Sequence, residues 1–333
     1  MEANMVESRK KRTNMKDVAQ LAGVSTTTIS RFLNGDLNKM STKTAARISD
    51  AIEKLNYTPS AAARQMVTHS SKMIAVIVAN IDDYFSTELF KGISSFLEAN
   101  GYIAVLFDSN ASSEKEKGII KTITSYNFDG IIFQPTSSSM ENINSEIHFE
   151  IPMVIVDRNL DTTRWPQVLT DNYQSARKAT LSFKKEGYEH VIVLTSKIDS
   201  VSTRRERYLG IRSTIQDTDI IEISEETYNR KMILKQIENL LNKNGKKTLI
   251  FALKERWFLE FIPPLLSKGY FQNNKITTTG FADTSIARTI SPKAKLINQN
   301  PFLMGGISAE LILKILKREK IKSKKVIVPA KIK

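Results

Sequence analysis

Four residues near the start of the chain, Thr26, Thr27, Ser30 and Arg31, have side chains suited to reading a polar partner. Hydroxyls bond phosphate oxygens or base edges, a threonine methyl meets a thymine methyl, and a guanidinium pairs with both O6 and N7 of guanine. Their spacing projects them away from Ile29 and Leu33, which lie four apart on the opposite face of one helix. Catalytic chemistry finds no comparable grouping. None of the three histidines, His69, His148 and His190, stands at a nucleophile or metal-ligand spacing, and His190, just before an apolar run, reads as structural. The chain lacks GxGxxG, a P-loop and a GxSxG elbow. Having no cysteine, it has no disulfide, thiolate metal site or cysteine nucleophile. No cofactor is expected.

The residues around that face specify short helices. Asn14 is placed to N-cap a helix whose first turn carries Asp17, the charge a helix N-terminus favours. Val18, Ala19, Leu21 and Ala22 supply apolar contacts, and Gly23 ends the helix in the left-handed conformation. Ser25 caps the next helix. Two short helices joined by a Gly-containing turn form a helix-turn-helix pattern, although a solvated helical hairpin fits these residues as well. Ser41 opens a third helix with Ile48, Ala51, Ile52 and Leu55 in one stripe. Thr58-Pro59 stops it. The following Ser60–Met66 segment forms helix well but is too short to be stable alone, so it is either a linker or a helix that needs a partner.

Charge supports a polyanion as partner without proving one. The 333 residues carry a net charge of +14, and residues 1–72 hold 12 Lys and Arg against 6 Asp and Glu. Arg9-Lys10-Lys11-Arg12 reads as a basic arm or a solvated tail. The remaining excess reads as diffuse. With neither a signal-peptide core nor a membrane-length apolar run, the expected location is cytoplasmic.

From Ser71 onward, apolar runs alternate with helix-length segments. Strands are expected at Ile74–Ala79, Ile103–Phe107, Gly130–Phe133 and Met153–Val156, then at Val191–Leu194, Ile220–Ile223, Thr248–Ala252 and Thr277–Thr279. Such alternation implies βαβ units, and two series of four imply two lobes with parallel sheets. Ligands of such sheets bind beyond the carboxyl ends of the strands. Asp82-Asp83-Tyr84-Phe85 and Asp157-Arg158 follow strands directly. Tyr84 or Phe85 is suited to stacking on a sugar ring, with core packing equally consistent for Phe85.

In order, DVAQLAGVSTTTISRFLNG, MSTKT and LNYTPSAAARQM resemble the headpiece motifs of the LacI/GalR family of bacterial transcription regulators. Weaker matches follow at TDN (170–172), RRERYLG (204–210) and TGFAD (279–283). RFLNG with MSTKT resembles the ketodeoxygluconate and sugar-acid subgroup. The resemblance implies an N-terminal all-α helix-turn-helix headpiece (1–57), a hinge helix (58–71) and a two-lobed, periplasmic-binding-protein-like α/β core (72–333). The first lobe would span about 72–165 plus 296–322, and the second about 166–295 plus 323–333. It further implies a non-enzymatic homodimeric repressor that binds pseudo-palindromic double-stranded operator DNA and a sugar-derived effector, with no membrane partner.

Residue by residue, the resemblance assigns DNA contacts to Asn14, Lys16, Ser25, Thr26, Thr27, Ser30, Arg31, Asn34, Ser41, Thr44, Ser60, Ala63 and Met66. Met66 stands where the family usually has leucine to wedge into the minor groove. Effector contacts fall to Tyr84, Phe85, Asp157, Arg204, Arg207, Tyr228, Lys254 and Asp283. Two positions depart from the pattern. Lys254 replaces the usual Asn or Asp, and Ala282 stands where relatives have aspartate, with Asp283 one place later. These departures predict a cleft about two charges more positive than usual and hence an anionic effector, a sugar acid or a sugar phosphate. In the alternative, Lys254 snorkels to solvent. A sugar-binding enzyme with an accessory DNA-binding domain is the second reading, and a solute receptor the third.

Overall fold

The computed structural model describes residues 13–33, 35–38, 40–58, 70–138, 151–160, 162, 164–243, 245–292 and 294–333. Asn34, Ser60, Ala63 and Met66, and with them the expected hinge helix, lie outside the described residues. The chain divides into two compact units, residues 1–71 and 72–333.

The first unit contains helices α1 (Met15–Ala22), α2 (Thr26–Leu33) and α3 (Thr42–Lys54). Val18, Ala19, Ala22, Ile29, Ile48, Ala51 and Tyr57 are buried together between them. Each helix brings one apolar stripe to this core, so packing rather than propensity stabilises helices of 8 to 13 residues.

In the second unit, β1 (Met73–Val78), β2 (Ile103–Asp108), β3 (Gly130–Phe133), β4 (Met153–Val156), β5 (Gln167–Thr170) and β11 (Lys325–Val328) form one sheet. Its order is β11-β5-β4-β3-β1-β2, parallel throughout. The other sheet orders β12-β10-β9-β8-β6-β7, from β6 (His190–Thr195), β7 (Thr218–Glu222), β8 (Thr248–Ala252), β9 (Ile276–Phe281), β10 (Lys295–Asn298) and β12 (Lys331–Ile332). Only β12 runs antiparallel in it. Ile74, Val76 and Val78 enter one core while Ala75 and Ile77 enter another, so both faces of β1 are buried. That two-sided burial makes the apolar runs continuous.

The lobe boundaries differ from the sequence expectation. Gln167–Thr170 and Val326–Val328, expected in the second lobe, pair with each other in the first sheet, whereas Lys295–Asn298 belongs to the second. These strands are short, with only two or three apolar residues each, and carry little periodic signal. The chain therefore crosses between lobes after β5, after β10 and after β11. Asp171 Oδ1 accepts the Ala330 N–H at 2.7 Å, joining two crossings. Asp283 Oδ1 holds the third by accepting from Gln299 N at 2.6 Å and Asn300 N at 3.0 Å.

Helix Tyr84–Ala99 packs closely on helix Pro301–Leu316 through two glycines. A Cβ at Gly305 would lie 2.2 Å from the Leu89 carbonyl oxygen, and one at Gly92 would lie 2.0 Å from that of Phe302. Among the described residues, no helix is long and apolar enough to cross a membrane.

Candidate functional site

The first unit presents a polar helix face. Asn14 Oδ1 accepts from Lys16 N and Asp17 N, and Asp17 Oδ2 accepts the Asn14 N–H at 2.8 Å, a reciprocal cap. Gly23 takes φ 63°, turning the chain toward α2. Ser25 Oγ accepts the Thr28 N–H and Ser41 Oγ accepts the Thr44 N–H, so Ser25, Ser41 and Thr44 help set the helix starts. Lys16, Thr26, Thr27 and Arg31 are exposed and Ser30 is half-buried, while Ile29 between them is fully buried. Sequence reasoning missed Arg47. Its guanidinium donates to the carbonyls of Ala22 and Gly23, satisfying the C-terminus of α1 beside the turn.

In the second unit, a cleft lies between the carboxyl ends of both sheets. Its first-lobe wall includes Asp83, Phe85, Gln134, Asp157 and Arg158. The second-lobe wall includes Thr203, Arg204, Arg207, Lys254, Glu255 and Asp283. The enclosed space is about 50 Å³, enough for a few waters. Arg204 also borders a wider chamber of about 620 Å³, whose lining includes Ser113, Thr136, Ser196, Ser200 and Ser224.

The cations are held differently. Arg158 pairs with Asp157, donates to Pro135 O, and reaches across the cleft to Thr203 Oγ1 at 3.1 Å. Asp157 Oδ2 also accepts from Gln134 Nε2 at 2.9 Å. Arg204 pairs with Glu225. Lys254 Nζ lies 3.0 Å from Glu225 Oε2 and 3.2 Å from Asp83 Oδ2. Burial acts to raise the Glu225 carboxyl, but Lys254 and Arg204 outweigh it and hold it at about 2. Arg207 is 6% exposed and its bonds go to neutral groups, Nε to Asn172 Oδ1 at 2.8 Å and Nη1 to Leu253 O. Its guanidinium stacks 3.7 Å from the Phe281 ring centroid. Burial lowers its pKa to about 10, so it stays charged at neutral pH. Asp283, engaged by the crossing backbone, is raised by burial to about 6.

This geometry corrects the charge count drawn from sequence. Lys254 neither snorkels nor adds a free charge, because Asp83 and Glu225 flank it. Two further candidates stand apart from the cavity lining. Tyr84 is 40% exposed and lines a separate groove with Phe302, because Phe85 is the residue its helix turns inward. Tyr228 packs edge-on against Trp257, 5.4 Å between ring centroids, where its ring completes the second-lobe core. Phe85, Asp157, Arg204, Arg207, Lys254 and Asp283 are brought together. Gln134 and Glu225 were missed, and Asn172 was noted only within the TDN match, with no effector role. They are single polar residues on loops or helix starts, where no periodicity marks them.

Residues 14–60 match the pattern of bacterial regulatory proteins of the lacI family, and residues 74–320 match a periplasmic binding protein domain. A solved LacI transcriptional regulator from Lactobacillus brevis is 50% identical, covering 78% of this chain and 100% of that one, with a TM-score of 0.74. The chain belongs to the LacI family. It is a DNA-binding transcription regulator and not an enzyme. The HTH-type transcriptional regulator KdgR of Bacillus subtilis is 29% identical over 92% of each chain. The lac repressor dimer, solved with operator and the anti-inducer ONPF, shares the fold at a TM-score of 0.83 and 21% identity, covering 97% of this chain and 98% of that one. As a LacI-family protein, the chain pairs the exposed face of α2 with a cleft in a separate unit, the arrangement of a DNA reader under small-molecule control.

Proposed function

We propose that this LacI-family regulator is a homodimeric repressor of carbohydrate-utilisation genes and that an anionic sugar derivative in the cleft controls it. Arg31 and Thr27 read bases of a pseudo-palindromic operator, and Lys16, Thr26 and Ser30 assist at phosphates. The effector is a sugar acid of the ketodeoxygluconate kind or, second, a sugar phosphate.

One observation carries the effector's charge. Arg207 is a buried guanidinium that donates to an amide oxygen and a backbone carbonyl, while the nearby carboxylates of Asp157 and Asp283 are engaged by other groups, Gln134 and Arg158 for the first and the backbone of Gln299 and Asn300 for the second. A buried cation is costly unless an anion or hydrogen bonds offset the lost hydration, and an acidic ligand supplies both. Likeness to KdgR agrees with this reading. Calorimetric titration with neutral hexoses, hexuronate-derived keto acids and phosphorylated sugars tests it. Saturable binding of the keto acid, lost in Arg207→Met, is expected. Tight binding of a neutral hexose that Arg207→Met leaves unchanged would rule it out.

A further inference from the structure

The positive charge outside the first 72 residues is not diffuse. Residues 314–333 contain nine Lys and Arg and a single acidic residue, Glu319. Their net +8 equals the whole excess of residues 73–333, which hold 37 basic and 29 acidic side chains. The rest of this unit is therefore balanced, and its surplus sits in one stretch.

Structure concentrates it further. Helix Pro301–Leu316 ends, and Lys317, Arg318, Lys320, Lys322, Lys324 and Lys325 are all exposed in the connection to β11 and at that strand's first residue. Lys317 and Arg318 suit a helix C-terminus, whose partial negative charge favours cations, but the other four lie beyond the reach of that field. Because β11 pairs parallel with β5, and β5, β4, β3 and β1 are parallel in turn, this connection lies at the amino-terminal edge of the first sheet. The cleft is at the opposite edge. The amino-terminal edge is also where β1 begins at Met73, two residues past the boundary with the DNA-reading unit.

We propose that the Lys317–Lys325 connection is a second, sequence-independent DNA contact that binds backbone phosphates. Its partner is chosen by connectivity, since β1, the first strand to follow the DNA-reading unit in sequence, begins at this same edge. Clustered, exposed lysines act on phosphate as point charges and release condensed counterions, a contribution carrying no sequence preference. The proposal rests on DNA binding alone and is independent of the effector.

Full-length wild type and a variant with Lys317, Arg318, Lys320 and Lys322 changed to Gln would be titrated with a random-sequence 40-base-pair duplex at several salt concentrations. The slope of log K against log salt should shrink by about 0.9 for each phosphate contact removed. Affinity at low salt should fall about tenfold or more, while a variant with Lys317, Lys320 and Lys322 changed to Arg keeps both. Unchanged slope and affinity in the Gln variant would overturn the proposal and leave a solvated surface. A loss confined to phosphatidylglycerol vesicles, with DNA binding intact, would overturn it in favour of a membrane surface.

Discussion

Lys254 Nζ and Asp83 Oδ2 stand 3.2 Å apart across the cleft, one on each lobe, with both side chains 15% exposed. Glu225 flanks the same ammonium, at 3.0 Å, from the second lobe. The cleft is thus closed by its own charges, and a sugar-sized ligand must part the lobes or displace one of these partners. Ligand sites of this kind usually offer several hundred Å³; the enclosed space here is about 50 Å³.

Lys254→Met should therefore lower stability, because it leaves Asp83 and Glu225 without their shared cation. Breaking a well-buried pair from one side costs about 3–5 kcal/mol, and partial exposure reduces that figure. Asp83→Asn in the same chain should restore part of the loss. A double-mutant cycle by chemical denaturation measures the coupling, expected at about 0.5–3 kcal/mol. Strictly additive effects would mean that the contact does not tie the lobes.

Arg31→Ala should weaken operator binding by about 1–3 kcal/mol and relax preference at one position of each half-site. Selection of binding sites from a randomised library reads this directly. The same base preferences in variant and wild type would remove Arg31 from the set of base readers.

Glu116 gives a pH signature. It is 5% exposed, accepts the Thr136 N–H at 2.7 Å, and is raised by burial to about 7. Between its ordinary value of 4.5 and about 7, the folded chain holds a proton that the unfolded chain has lost. The Glu116 contribution to stability therefore falls as pH rises through that window. Glu116→Gln keeps an acceptor oxygen and should raise stability at pH 8 relative to wild type, by as much as roughly 3 kcal/mol at 1.36 kcal/mol per pKa unit. At pH 4 the two should differ little. Parallel pH profiles would show that the carboxyl titrates normally.

Gly92→Ala should force apart helices Tyr84–Ala99 and Pro301–Leu316, since the new methyl meets the Phe302 carbonyl. Overpacking of this kind costs about 1–3 kcal/mol. Gly118→Ala, whose Cβ would have open space, serves as the control and should be neutral or mildly stabilising. Equal melting temperatures for both variants would contradict the tight packing.

Much of the fold was legible because its signals are local. Asn14, Gly23 and Ser41 announce helix ends through their own backbone and side-chain chemistry, and β1 and β8 are continuous apolar runs buried on both faces. Lobe assignment was less legible. A short strand such as Gln167–Thr170 joins whichever sheet the crossing connections allow, and that depends on residues such as Asp171 and Asp283 far apart in sequence. The cleft was half legible. Resemblance located Arg207 and Lys254, but single positions do not show which carboxylate faces which cation. Glu225 lies 29 residues from Lys254 and gives no sign of the partnership.

The most direct test of an acid-responsive switch is release of the operator complex. Fluorescence anisotropy would follow labelled operator during titration with a hexuronate-derived keto acid, for wild type and for Arg207→Met. Dissociation in wild type at concentrations that leave Arg207→Met bound to DNA is the predicted result. Dissociation of both proteins at the same acid concentration, or of wild type only by a neutral sugar, would contradict it.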